Sequence, residues 1–434
     1  MREAGKGGEG MRDNAPRRVC IEEMADFLAA NREALLAPAP DTALYAKTGE
    51  LLRACRESLL AGALLARQEG DLQKAERYLS FWVDYAKRYV GRIATEGLRY
   101  LAQVRLAGGK WAEAAELFQL ILERQMENEE ACFYLAAARL GMGAPADACA
   151  LYEAAVARKR IFPEAQRNLD YVRAGGREAD SLPCRTSYEI SLAIDPADYL
   201  DLPIFINSRD RLACLARLMD WLTRAGCRRI YILDNESTYE PLLCYYAELE
   251  RTGRAKVRFL GRNCGHTALW DSGILEELAI ATPYVYTDSD VVPTEDCPPD
   301  AVGHFLRILQ RYPFLDKVGF ALRIDDITMP YADACRAWEE RFYFYPLEKD
   351  CFFAPVDTTF ALYQNRRHYT ILTAARTTGR YIARHLPWYG SARDRTEDER
   401  YYLAHASKSS SLAEAERGHA EALYAADSFD TGFY

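Results

Sequence analysis

The segment Pro283-Tyr-Val-Tyr-Thr-Asp288-Ser289-Asp290-Val-Val-Pro293 decides how this chain is read. Its apolar run is rich in Val and Tyr, the composition of a strand, and it stops on two carboxylates one residue apart. A strand that ends in Asp-x-Asp presents two acidic groups at a sheet edge, where they hold a divalent cation and, through it, a diphosphate. An acidic turn after a strand is common in itself, because Asp is favoured in turns. The neighbouring segments therefore carry the decision.

Upstream of this strand, short β-rich runs alternate with helical segments. Pro203 to Ser208 reads as a strand followed by a helix to Ala225, Arg229 to Asp234 as a strand followed by a helix to Thr252, and Lys256 to Leu260 as a strand followed by a helix to Ala281. Alternation of this length implies right-handed crossovers and a mostly parallel, Rossmann-like sheet with ligand sites at the carboxyl ends of its strands. Three of those ends carry polar groups: Asn207-Ser208-Arg209, Asp234-Asn235 and Asp288-Ser289-Asp290.

Further upstream the period changes. Through residue 174 the chain is rich in Ala, Leu, Glu and Arg, with apolar residues at helical spacing. Gly109, Ala114 and Phe118 recur 34 residues later as Gly143, Ala148 and Tyr152, and Ala102 recurs as Ala136. A looser copy, Ala63, Gly70, Ala75 and Leu79, lies 39 residues earlier. A small residue seven positions before a glycine turn, then Ala and a large apolar residue four apart, packs two antiparallel helices closely. Over about residues 55–173 this pattern resembles the tetratricopeptide repeat, including its period, though the usual tryptophan and final proline are absent. The expected organisation is a disordered tail over 1–18, a helical-repeat domain over 19–174, a linker over 175–200 marked by Gly-Gly and Pro breaks, and an α/β domain over 201–434.

Composition limits the function. The chain has 434 residues, enough for two or three domains. Its net charge of −9 argues against a nucleic-acid binder that neutralises phosphates with a broad basic face. No stretch is apolar for long enough to span a bilayer, and the first residues lack a signal-peptide core. The 12 cysteines form no Cys-x-x-Cys pair, and several, such as Cys132, Cys149, Cys214 and Cys244, fall within apolar patterns. That usage suggests a reducing cytoplasm and no zinc site.

Five motifs in order, Ile206-Asn-Ser-Arg-Asp-Arg211, Ile232-Leu-Asp-Asn-Glu-Ser-Thr-Tyr239, Asn263-Cys-Gly-His-Thr-Ala-Leu-Trp270, Tyr286-Thr-Asp-Ser-Asp290 and Arg384-His-Leu-Pro-Trp-Tyr389, resemble those of the A-type-fold, inverting, family-two-like glycosyltransferases over about residues 200–405. Arg209 and Asp210 depart from the commonest first motif, which has an aromatic and an Asn there. A sugar nucleotidyltransferase shares the fold, but its Gly-rich basic first loop is missing. The resemblance implies that Asp234 accepts a hydrogen bond from the imide N–H of uracil or thymine, and that Ser208, Arg209, Asn263, His266, Asp288 and Ser289 line the nucleotide-sugar site. It also implies that Asp288 meets the ribose or a metal-bound water, that Asp290 ligates a metal directly, and that His385 supplies a neutral ligand. Carboxylate, imidazole and phosphate ligands suit Mn²⁺, with Mg²⁺ as the alternative.

Inversion requires a general base near the acceptor hydroxyl. Val318 to Ile324 reads as a strand that delivers Asp325 and Asp326 to the metal-bearing edge, with Asp357 and the Glu397-Asp398-Glu399 run as rivals. The function expected is therefore metal-dependent transfer of a sugar from a UDP- or dTDP-linked donor to an acceptor hydroxyl. The helical repeats are expected to recruit a protein acceptor, such as a flagellar or surface protein, with homodimerisation as a further role. The alternatives are a capsule or lipopolysaccharide glycosyltransferase, and a non-catalytic repeat adaptor carrying a degenerate sugar-nucleotide domain.

Overall fold

The computed structural model describes residues 26–36, 42–89, 95–158, 162–182, 194–364, 369–389 and 395–406, apart from 28, 127, 341, 344, 370 and 372. The tail expected over 1–18 lies outside them, as do residues 183–193 of the expected linker. The described residues form two compact units. One comprises residues up to Ala155 together with Val172–Ser181, and the other Val156–Tyr171 together with Leu182 onward.

The first unit is a run of helical hairpins: Thr42–Gln68 with Leu72–Tyr89, Thr95–Ala107 with Trp111–Arg124, and Glu129–Gly141 with Pro145–Arg158. Each first helix ends in the same way. Gly70, Gly109 and Gly143 adopt φ of +85°, +72° and +77°, a region that costs glycine nothing and a side chain a good deal. The residue after each glycine then bonds back to the last helical turn, as in Asp71 N to Ala66 O at 2.8 Å, Lys110 N to Arg105 O at 2.9 Å and Ala144 N to Arg139 O at 2.9 Å. This arrangement satisfies carbonyls that the helix end would leave bare. The repeating positions Ala63, Ala75, Ala102, Ala114, Phe118, Ala136, Ala148 and Tyr152 are all 0 % exposed, so the 34-residue period is a packing period.

The second unit is built on a 10-stranded sheet in the order β3-β2-β1-β4-β9-β6-β10-β8-β7, with β5 paired to β10. The strands are β1 Ile204–Ser208, β2 Ile230–Asp234, β3 Lys256–Phe259, β4 Tyr284–Asp288, β5 Val291–Pro293, β6 Lys317–Leu322, β7 Tyr345–Glu348, β8 Cys351–Phe353, β9 Ala361–Tyr363 and β10 Ala374–His385. β3, β2, β1 and β4 run parallel, as expected from their helical crossovers. The rest makes the sheet mixed: β6 and β10 pair parallel, while other pairs reverse. β9 enters between β4 and β6 antiparallel to both, and β7, β8 and β5 also pair antiparallel. β7 and β8 are joined by Lys349-Asp350 alone, which leaves no room for a crossover helix, so that pair must reverse direction.

Both faces of the parallel half are covered. The helix Leu212–Arg224 buries Cys214, Leu215, Leu218, Met219, Trp221 and Leu222, one amphipathic stripe. On another part of the sheet Phe205, Tyr231, Tyr284, Tyr286 and Tyr363 pack with Leu269, Ile274 and Leu275. The helix read through Ala281 is two short ones, Ala268–Asp271 and Ile274–Glu277, divided by Gly273 at φ +70°. Among the described residues no helix is long and apolar enough to cross a membrane.

Candidate active site at the carboxyl ends of the strands

In-register pairing brings the polar strand ends together. Ser208 pairs with Asp234, and Asn207 with Asp288, so residues from three strands meet at one sheet edge. The Asn207 amide donates to Asp288 Oδ1 at 3.0 Å and to Gly265 O at 3.3 Å. Asn235 donates to the same carbonyl at 2.9 Å and accepts from Cys264 N at 2.6 Å. The Asn263-Cys-Gly-His loop is thus pinned across the ends of β1 and β2. Asn263 Oδ1 accepts from Gly265 N at 2.9 Å, a local turn bond, and the Tyr286 hydroxyl donates to His266 O at 2.8 Å. The His266 ring lies 5.3 Å from that of Tyr369.

The two carboxylates of the Asp-x-Asp turn have different surroundings. Asp288 accepts from Asn207 on one oxygen and from the Thr358 hydroxyl on the other. Burial, and then the charge of Asp290, push its pKa upward. Asp290 is 6 % exposed and bonds the Arg211 guanidinium, while His385 Nε2 stands 3.4 Å from its Oδ2. Burial alone would raise the Asp290 pKa, but His385 and Arg211 outweigh it and hold the group below the usual carboxylate range. Ser289 is buried between them, and its backbone N–H donates to Asn207 O at 3.0 Å.

As metal ligands the expected three residues separate into a pair and an outlier. Asp290 and His385 face each other with one oxygen and one nitrogen, a donor pair that suits Mn²⁺ or Mg²⁺ completed by phosphate and water. Asp288 instead points its oxygens at Asn207 and Thr358. Among the described residues no group of three or more His, Cys, Asp or Glu side chains is arranged to hold an ion. Of the expected ligand set, the described residues bring together Asp290 and His385, and Asp290 also carries an arginine.

That arginine had no role in the sequence reading. Arg211 is 6 % exposed and spans two carboxylates, donating to Asp290 and to Glu399 Oε1 at 3.1 Å, with its Nε 3.1 Å from Glu399 Oε2 as an ion pair. Its guanidinium lies 3.8 Å from the Tyr402 ring centroid. The helix Glu397–His405 that supplies Glu399 also supplies Asp398, whose carboxylate accepts from Ala213 N at 2.7 Å and caps the helix Leu212–Arg224. Arg211 stands at the cap position of that helix and has no oxygen to offer, so the cap comes from elsewhere in the chain. The one sequence signal was an arginine at the end of a strand-end motif.

At the end of β2, Asp234 is 3 % exposed. Its Oδ2 accepts weakly from Ser237 N at 3.3 Å, and Oδ1 has no partner at hydrogen-bonding geometry among the described residues. Burial raises its pKa, offset in part by Ser237 and the nearby Tyr246 hydroxyl. Ser208 Oγ accepts from Tyr246 at 3.0 Å. Arg209 lies 3.8 Å from the Asp210 carboxylate. Asp210 itself, at φ +55°, accepts from Thr238 N at 2.7 Å and Tyr239 N at 2.9 Å, tying the loop after β1 to the loop after β2.

The candidate bases follow β6 and are held by arginines. Asp325 pairs with Arg323 at 3.0 Å, and its side chain is 62 % exposed. Asp326 pairs with Arg384 at 2.7 Å and Arg323 at 3.3 Å. Burial raises the Asp326 pKa, but Arg384 and the Tyr389 hydroxyl bring it below the usual value. The rival Asp357 accepts from the Tyr369 hydroxyl, and Glu399 is occupied by Arg211.

No protein-family model and no curated protein matches this chain. Among solved structures, a Thermobaculum terrenum O-GlcNAc transferase variant is similar at 16 % identity over 46 % of this chain and 41 % of that one, with a TM-score of 0.25. This chain therefore spans less than half the length of that structure, and so remote a likeness assigns neither fold nor activity.

Proposed function

We propose that the second unit is an A-type-fold glycosyltransferase domain that takes a sugar from a pyrimidine-nucleotide diphosphate and delivers it, with inversion, to an acceptor hydroxyl. The observation that carries this reading is the convergence at one sheet edge of the Asp290–His385 donor pair with a buried carboxylate, Asp234, whose Oδ1 lacks a partner among the described residues. Asp234 accepts the imide N–H of uracil or thymine, which offsets the cost of its burial. Asp290 and His385 would hold Mn²⁺ or Mg²⁺, which would supply positive charge to stabilise the departing diphosphate. Arg211, anchored by Glu399, would balance the charge of Asp290 at this edge. Asp288, held by Asn207 and Thr358, orients the ribose or a water.

Asp325 is the least committed carboxylate near the end of β6, with one arginine partner and an exposed side chain. In this reading it takes the acceptor proton as the acceptor oxygen bonds to the anomeric carbon and the bond to the diphosphate breaks. The stacked helical hairpins recruit the acceptor, a protein exported to the surface or flagellum, since such stacks form extended binding surfaces.

Incubation of the full chain with a panel of UDP- and dTDP-sugars and Mn²⁺ tests the activity, with release of the nucleoside diphosphate followed by mass spectrometry. Release that stops with EDTA or in Asp290→Ala supports the proposal. Binding of a nucleotide with no release from any donor would leave the non-catalytic adaptor as the better account.

A further inference from the structure

We infer that Phe259 is the platform on which the base of the nucleotide donor stacks. The inference rests on the donor reading above and adds the residue that the first loop, with Arg209 and Asp210, does not supply. Across β1, β2 and β3, Ser208, Asp234 and Phe259 stand in one register row. Paired residues on adjacent strands share a face, so the three side chains project from the same side of the sheet at its carboxyl edge. Phe259 is 63 % exposed, the one large apolar side chain of the second unit left so open among the described residues. A single exposed ring is ordinary on its own. Its position is not, because the adjacent strand end holds Asp234, 3 % exposed and with an unpartnered Oδ1.

The ring is also braced. Tyr246 is 1 % exposed, meets Phe259 edge to face with centroids 6.1 Å apart and donates to Ser208 Oγ at 3.0 Å. β3 stays paired past the phenylalanine, with Leu260 N donating to Asp234 O at 3.1 Å. An apolar face beside a buried, unsatisfied acceptor suits a flat heterocycle with a ring N–H on its edge. Uracil and thymine have one, whereas the corresponding cytosine nitrogen is an acceptor.

Calorimetric titration of the full chain with UDP, dTDP, CDP and pyrophosphate in the presence of Mn²⁺ tests this, using Phe259→Ala, Phe259→Trp and Asp234→Asn. Stacking on an aromatic side chain predicts that Phe259→Ala weakens UDP roughly tenfold while Phe259→Trp preserves it. Pyrophosphate, which has no base, should bind Phe259→Ala as it binds the wild type, and CDP should bind the wild type more weakly than UDP. If Asp234→Asn weakens UDP but Phe259→Ala does not, the platform is overturned and the donor reading stands. Equal losses of UDP and pyrophosphate in Phe259→Ala would also overturn it, since the ring would then serve the loop and not the base. If the wild type binds neither UDP nor dTDP, the donor reading and the platform fall together.

Discussion

His385 Nε2 lies 3.4 Å from Asp290 Oδ2, and two features of the sheet make it so. β5 pairs antiparallel with β10, which sets Val291 opposite His385. Leu386 N then donates to Asp290 O at 2.9 Å, closing the turn after β4 onto the end of β10. The pair is therefore a product of the sheet's antiparallel part, grafted onto the parallel part that carries Asp234 and Asp288.

Arg211 is expected to be the principal electrostatic anchor of this edge. Arg211→Met takes away the guanidinium shared by buried Asp290 and part-buried Glu399, leaving Asp290 with His385 alone, and should cost about 3–5 kcal/mol, the range for breaking a buried ion pair. Glu399→Gln leaves Arg211 bonded to Asp290 and should cost less, about 1–3 kcal/mol. Urea unfolding of the two variants provides the comparison. An Arg211→Met protein as stable as the wild type would show that the network contributes no net stability.

Lys317 is expected to make folding stability rise with pH. Its side chain is fully buried, with Nζ donating to Tyr363 Oη at 2.9 Å and Asp357 O at 3.1 Å, and burial pushes its pKa from 10.5 down to about 7. Between those values the unfolded chain binds a proton that the folded chain does not. The Lys317 penalty is therefore fully present below pH 7 and is relieved as pH rises toward 10.5. Lys317→Met should be more stable at pH 7 by about 1–4 kcal/mol, less whatever its two lost hydrogen bonds contributed, and should flatten the stability curve above pH 7. A variant that is less stable at pH 7 with the same slope would contradict this.

Much of the scaffold was legible because local periods report it. Ala102, Ala114 and Phe118 with their copies 34 residues on declared a packing unit, and the strand ends Asp234 and Asp288 declared an edge. Less accessible was whatever depends on partners far apart in the chain. Nothing near Arg211 announces Glu399 or Tyr402, and nothing in Ala361–Tyr363 says that β9 inserts antiparallel between β4 and β6. Asp288 and Asp290 look alike in sequence. They differ only because Thr358 and Asn207 claim one, and Arg211 and His385 the other.

For the base, Asp325→Asn should lower kcat by roughly 10²-fold or more while donor KM stays near the wild-type value, the usual share of general base catalysis. Asp326→Asn, which loses a carboxylate held by Arg384, should affect stability more than kcat. Steady-state kinetics with a saturating donor separates the two. If both variants keep the wild-type kcat, the base lies elsewhere, with Asp357 and Glu399 the next to test.

The central claim is that Asp290 and His385 hold a cation together with a nucleoside diphosphate, which makes the two ligands bind cooperatively. Titration of UDP into the full chain with and without Mn²⁺ tests it most directly, alongside His385→Ala and Asp290→Asn. UDP affinity should rise roughly tenfold or more with Mn²⁺ in the wild type, within the usual range of coupling between two ligands, and this gain should shrink to near none in both variants. Equal UDP affinity with and without Mn²⁺ in the wild type, or a full gain retained in both variants, would contradict the account.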